Sequence, residues 1–136
     1  MDHEGGCYCG AIRYKTGGDP LFKGMCYCRE CQYISGGAQN IVIGMPEAEF
    51  AYTKGKPKVF KRSDLDAPVT REFCPDCGTH LLSRAPALPG GVLLKVGTLD
   101  DPGLFDAAQM AIFTVDKQGY HQLPEGATAF ERGPGG

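Results

Sequence analysis

The sequence predicts an all-β protein, because short apolar or alternating runs recur at intervals of roughly ten residues. Each run is enclosed by Gly, Pro, Asp or Asn, which is typical of antiparallel strands joined by turns. Glycine supplies 20 of the 136 residues and proline 10. No stretch keeps apolar residues at helical spacing for more than about two turns, so no long helix is expected.

The first half of the chain contains five of the predicted runs and one helical turn. In the first run Ile12 and Tyr14 share one face, as the two-residue period of a strand requires. A short helical turn is expected over 29–34, because Gly36 and Gly37 end it. The nine predicted strands cover 11–15, 21–26, 39–45, 49–53, 58–61, 69–73, 80–83, 92–96 and 110–115.

Two polar segments are assigned to turns and edges. A basic cluster without an acidic residue is expected to be a solvated hairpin or an edge strand guarded by lysines. Asp100 and Asp101 precede Pro102, which favours a capped turn over a pair of catalytic carboxylates. The basic cluster consists of Lys54, Lys56, Lys58, Lys61 and Arg62.

The length indicates one domain over 1–132, followed by a disordered tail over 133–136 that has nothing to bury. A net charge of -2 and a pI near 5.9 argue against sequence-independent nucleic-acid binding. No basic leader precedes an apolar stretch, and no apolar run approaches the ~20 residues of a membrane span. We therefore expect a cytoplasmic protein without a membrane partner.

Seven cysteines point to metal binding. Their number is odd, and reducing conditions inside a cell would keep the thiols free, so disulfides are disfavoured. The cysteines are Cys7, Cys9, Cys26, Cys28, Cys31, Cys74 and Cys77.

The spacing suggests a division into four ligands and three. The turn Cys74-Pro75-Asp76-Cys77-Gly78 aims two sulfurs at one point, and Gly78 can adopt a left-handed conformation. Cys7 and Cys9 project to the same side of an extended segment. Cys26, Cys28 and Cys31 remain, and three ligands are typical of a catalytic zinc with one exchangeable position.

Spacing alone leaves a second division open. Two C-x-x-C turns, 28–31 and 74–77, could form a ribbon-like site, and Cys7, Cys9 and Cys26 would then be the trio.

Four segments resemble the glutathione-dependent formaldehyde-activating enzyme family, also called the Gfa or centromere protein V domain. They are Gly5-Gly6-Cys7-Tyr8-Cys9-Gly10-Ala11-Ile12-Arg13-Tyr14, the C-x-C-x-x-C at 26–31, Phe73-Cys74-Pro75-Asp76-Cys77-Gly78-Thr79-His80-Leu81 and Val96-Gly97-Thr98-Leu99-Asp100-Asp101-Pro102. The resemblance runs from about residue 3 to about residue 115 and includes all seven cysteines.

The resemblance implies an all-β fold of the Mss4-like type with two zinc ions. Cys7, Cys9, Cys74 and Cys77 would hold a structural zinc. Cys26, Cys28 and Cys31 would hold a catalytic zinc, where glutathione and formaldehyde condense to S-(hydroxymethyl)glutathione. The function expected is therefore a carbon-sulfur lyase acting on glutathione, or a similar thiol, and an aldehyde.

Two other functions stay open at this point: a non-catalytic zinc-binding module, and a thiol redox or metal-buffering protein that uses the trio directly. Tyr27, Glu30 and Tyr33 lie beside the trio, and a surface role is favoured for each over proton transfer. The three histidines, His3, His80 and His121, are expected to be hydrogen-bonded or exposed rather than metal ligands.

Overall fold

Eleven strands and one α-helix make up most of the regular structure in a computed structural model that describes residues 2–134. The helix α1, Arg29–Ile34, coincides with the predicted helical turn. The strands are β1 His3–Gly6, β2 Arg13–Thr16, β3 Phe22–Cys26, β4 Asn40–Pro46, β5 Ala51–Lys54, β6 Lys58–Phe60, β7 Thr70–Phe73, β8 His80–Arg84, β9 Gly91–Lys95, β10 Met110–Ile112 and β11 Thr128–Ala129.

The strands form two sheets, and the all-β prediction is confirmed. One sheet has three strands in the order β1-β2-β5, and the other has eight in the order β11-β10-β3-β4-β9-β8-β7-β6. Every predicted run overlaps a strand. β1 and β11 were not predicted, because β1 reads His-Glu-Gly-Gly without an apolar side chain and β11 has only two residues.

The turn pattern predicted antiparallel strands, and this prediction is wrong for β10. β10 pairs in parallel with both β3 and β11. Turns between neighbouring runs determine the direction of sequential strands only, whereas β3 and β10 lie far apart in the chain.

The register of β4 with β9 gives the large sheet two different faces. Ile43 pairs with Leu94, and both belong to the buried core, which also contains Tyr14 of the smaller sheet. Gly44 pairs with Leu93 on the opposite face, and Leu93 lines a cavity there. One face of the sheet is therefore the core, and the other carries a cavity.

The expectations for the polar segments are confirmed. The whole basic cluster is exposed, and β5 and β6 are edge strands. The predicted alternation in β2 is also present, because Tyr14 is buried whereas Lys15 is exposed. The Asp101 carboxylate accepts the Gly103 amide N–H at 3.0 Å and caps the 3-10 helix Pro102–Phe105.

Residues 2–134 include no helix that is long and apolar enough to cross a membrane. Gly133 and Pro134 lie at the cavity. Residues 135 and 136, the rest of the predicted disordered tail, lie outside the described range.

Candidate metal and catalytic site

Two turns bring four cysteine sulfurs together beside the core. Cys7 and Cys9 follow β1, and Cys74 and Cys77 follow β7. The four Sγ atoms all lie within 4.8 Å of one another. Gly78 has a φ of +78°, as the sequence predicted for this turn. The Tyr8 amide donates to Thr79 Oγ1 at 3.1 Å and so connects the two turns.

The geometry of this four-cysteine cluster fits zinc. A tetrahedral zinc ion with Zn–S bonds of about 2.3 Å separates its sulfurs by about 3.8 Å. The Sγ atom of Cys9 lies 3.7 Å from that of Cys7 and 3.8 Å from that of Cys74. Cys7 Sγ also accepts the Ile12 amide N–H at 3.2 Å, a contact that stabilises a thiolate. The cluster therefore has the four sulfurs and the spacing of a closed site.

The end of β3 and the start of α1 bring the other three sulfurs together. Cys26 is the last residue of β3, Cys28 is the N-cap of α1, and Cys31 lies in its first turn. Their Sγ atoms lie within 4.8 Å of one another, and among the described residues no fourth His, Cys, Asp or Glu joins this three-cysteine cluster. The structure thus groups the sulfurs as four and three, rather than as the ribbon-like alternative.

Hydrogen bonds orient the three-cysteine cluster. The Cys31 amide donates to Cys28 Sγ at 3.4 Å, and Asn40 Nδ2 donates to Cys31 Sγ at 3.4 Å. Asn40 is paired with Cys26 in the register of β3 and β4, which places it beside the cluster.

Crowding makes the three thiols unequal. Hydrogen bonds from Cys26 and Cys28 lower the pKa of Cys31 to about 3, whereas hydrogen bonds with Cys28 and Cys31 raise the pKa of Cys26. Adjacent thiolates repel one another, so full ionisation of the three needs a cation among them. The donor set therefore suits a soft divalent ion such as zinc.

A cavity of about 700 Å³ opens onto the three-cysteine cluster. All three cysteines line it, together with Arg29, Glu30 and Arg71. Arg71 Nη2 donates to Glu30 Oε1 at 2.9 Å, and its side chain is only 10% exposed. The four-cysteine cluster contributes nothing to this cavity. A small molecule can therefore reach three sulfurs, with a charged pair beside them.

Two buried basic nitrogens lack a hydrogen bond, and the one on Lys95 lies near the cluster. Lys95 Nζ and His80 Nδ1 have no partner in the part of the chain that the structure describes. Burial lowers the pKa of Lys95 to about 8, opposed by the attraction of the nearby Cys31 thiolate. Burial and the charges of Lys95 and Arg71 lower the pKa of His80. Lys95 therefore brings a positive charge close to three sulfurs.

The sequence suggested a surface role for Tyr27, and this prediction is wrong. Tyr27 is fully buried, and its hydroxyl donates to the Gln122 carbonyl at 2.6 Å, away from the cavity lining. Tyr33 is 80% exposed, in agreement with expectation. His121 Nδ1 accepts the Gln118 amide at 2.9 Å and its Nε2 contacts the Gly37 carbonyl at 2.7 Å. No histidine joins either cysteine cluster within the described range.

Sequence reasoning missed Asn40, Arg71 and Lys95. Each is a polar residue within or next to an apolar run, and such a position would bury it. That signal was present, but only the register of the sheet shows that all three share the face with the cysteines.

The fold and the two sulfur clusters define a class of small β-sheet proteins built around cysteine sites suited to metal. A family model described as "Glutathione-dependent formaldehyde-activating enzyme" matches residues 2–116, and the chain belongs to that family. A crystal structure of a Rhodobacter sphaeroides protein, a structural-genomics target, is similar in fold. It has a TM-score of 0.59 at 19% identity, covering 71% of this chain and 87% of that one. No curated protein matches the chain.

Proposed function

We propose that the protein is a zinc-dependent carbon-sulfur lyase that condenses glutathione with formaldehyde or a similar aldehyde. In this reaction the thiol adds across the carbonyl group. A carbon–sulfur bond forms, and the carbonyl oxygen takes the proton that the sulfur loses, giving a hydroxymethyl thioether. Family membership supports a glutathione-dependent, formaldehyde-activating role in general terms.

One observation carries the assignment of this reaction to Cys26, Cys28 and Cys31. These three sulfurs line a cavity of about 700 Å³, whereas the other four form a closed set beside the core. A zinc ion at the three-cysteine cluster supplies an exchangeable position and lowers the pKa of a thiol that binds there. We assign Cys7, Cys9, Cys74 and Cys77 to a structural zinc.

The surrounding side chains have separate tasks in this proposal. Asn40 holds Cys31 through its amide, and the charge of Lys95 offsets the negative charge of the sulfurs. Arg29, which is exposed at the rim of the cavity, can bind a carboxylate of the peptide thiol. Glu30, which accepts from Arg71, can relay the proton from sulfur to the product oxygen.

Exchange spectroscopy of formaldehyde with glutathione tests the proposal directly. The zinc-loaded protein should accelerate the exchange between free and adduct formaldehyde, and Cys28→Ala should return the rate to that of the protein-free mixture. Ser63→Ala, in an exposed loop outside the cavity lining, is the matched control and should keep the acceleration.

Mass spectrometry under native conditions separates the other two functions from a lyase. A lyase should carry two zinc ions and a non-catalytic module one. A mass lower by two hydrogens at the three-cysteine cluster, as oxidation of two thiols would give, would favour a redox function. A protein that binds two zinc ions but leaves the exchange rate unchanged would contradict the proposal.

A further inference from the structure

The wall of the cavity is apolar away from the cysteines. The segment 85–88, Ala-Pro-Ala-Leu, forms part of this wall, and Leu88 packs against the glycine-lined surface of β4 and β9. Side chains from several other parts of the chain complete it. The residues that matter most are Phe22, Val69, Leu88, Leu93, Ile112 and Phe113.

The charged groups at the cavity are mostly occupied by one another. Arg71 bonds to Glu30 at 2.9 Å. Arg29 bonds to Gln32 and stacks on the Tyr33 ring at 5.1 Å. With Asp116 the lining charges cancel, two basic against two acidic. The cavity therefore offers little to the carboxylates and ammonium of a peptide, because charges are costly to bury without partners.

A hydrocarbon group suits this space better. Formaldehyde has a single carbon and would leave the cavity to water, whereas apolar walls favour the burial of apolar surface. Glutathione is the thiol in the proposed function, so the aldehyde is the partner whose body can vary.

We propose, on the basis of that proposed function, that the aldehyde substrate carries an apolar alkyl or aryl body. Its carbonyl group would lie at the three-cysteine cluster and its hydrocarbon against Val69, Leu88 and Leu93. Glutathione adds its S–H bond across the carbonyl group: the carbon–sulfur bond forms and the oxygen takes the proton. Nothing is oxidised or reduced. The peptide lies at the rim near Arg29, which is exposed.

Binding of unreactive alcohols tests the cavity without any catalysis. Along the series from propanol to hexanol, affinity should rise about fourfold for each added methylene, the equivalent of ~0.8 kcal/mol per buried CH₂. Signals of the Leu88 and Leu93 methyl groups should shift on binding. Affinity that does not change with chain length, or shifts elsewhere only, would overturn the inference.

Variants at the wall provide the matched comparison. Val69→Asp should abolish hexanol binding and Val69→Thr, which keeps the shape, should weaken it by several-fold. Val59→Asp makes the same change on the exposed edge strand β6, outside the lining, and should leave binding unchanged. If Val69→Asp does not fold, hexanol binding by Val69→Thr still tests the inference. Equal loss of hexanol binding in the variants at positions 59 and 69 would contradict it.

Activity assays separate this inference from the proposed function. Glutathione with hexanal should react with a higher kcat/KM than glutathione with formaldehyde. Catalysis with formaldehyde but no alcohol binding would overturn the inference and leave the proposed function intact. Alcohol binding without any condensation would overturn the proposed function and show that the cavity serves another reaction. Faster reaction of hexanethiol with formaldehyde would place the apolar body on the thiol and overturn the aldehyde assignment.

Discussion

Lys95 ends a strand whose other side chains are apolar, and this makes it unusual among the lysines of the chain. Its amine is buried and has no hydrogen bond to any of residues 2–134, and it lies on the face of the sheet that carries the three-cysteine cluster. Such a charge is costly to bury. Three thiolates around a divalent ion carry a net charge of -1. The ammonium of Lys95 and this negative charge attract each other, which offsets the cost of burying either one.

Replacement of Lys95 should therefore weaken metal binding at the three-cysteine cluster. Lys95→Met keeps the length of the side chain and removes its charge. We expect zinc affinity there to fall by roughly tenfold, the lower end for residues that support metal ligands. Competition with a chromophoric chelator measures this affinity without an activity assay.

Lys58→Met is the control for that experiment, because Lys58 is exposed on edge strand β6 and its change should leave zinc affinity unaltered. An unaltered affinity in Lys95→Met as well would show that the lysine does not act on the metal.

At the scale of elements, the hydrophobic pattern of the sequence predicted most strands but not β1. The alternation around Ile12 and Tyr14 and the run at 39–45 were sufficient to locate β2 and β4. β1 forms because its glycines allow close packing, which hydrophobic periodicity cannot detect. The two cysteine pairs of the four-cysteine cluster were predictable because each pair is local in sequence, but spacing left open which pairs share an ion, and only the family resemblance implied this grouping. The cavity was not, because its wall combines distant segments such as 67–71, 85–88 and 112–113.

Close packing at Gly5 of β1 leads to a prediction about stability. A Cβ atom added there would lie 2.4 Å from both the Thr98 carbonyl oxygen and the Tyr14 hydroxyl. Tyr14 is buried and its hydroxyl lies 2.8 Å from Thr98 Oγ1, so neither neighbour can move easily. Gly5→Ala should lower the free energy of unfolding by about 1–3 kcal/mol, as overpacking does.

Gly97→Ala is the control for this packing, since a Cβ atom there would meet nothing within 4 Å. Chemical denaturation of the two variants compares them directly. Equal stability of both variants would mean that β1 is free to move away from Tyr14.

At the scale of the whole molecule, the two cysteine clusters lie on opposite sides of the large sheet. Cys7 and Cys74 belong to the buried core, together with Ile43 and Leu94 of β4 and β9. The three-cysteine cluster faces the cavity on the other side. A metal ion bound at the first cluster would thus be linked to packing of the core, whereas a metal ion bound at the second could be exchanged or removed without unfolding the protein.

This separation predicts opposite results for two cysteine variants. Cys74→Ala removes a fully buried sulfur and should unfold the zinc-loaded protein. Metal-linked folding energies of about 10 kcal/mol or more are comparable to the whole stability of a small domain, about 5–15 kcal/mol. Circular dichroism should show loss of the β-sheet signal.

Cys28→Ala should keep the fold and one bound zinc ion. The sulfur of Cys28 accepts the Cys31 amide at the N-cap of α1, so its loss should cost about 1 kcal/mol, or roughly 3–5 °C in Tm. Thermal unfolding followed by circular dichroism, with zinc counted by native mass spectrometry, measures both effects. If Cys28→Ala unfolds and Cys9→Ala stays folded, the assignment of the structural and catalytic clusters is wrong, because the fold would then depend on the cluster that faces the cavity.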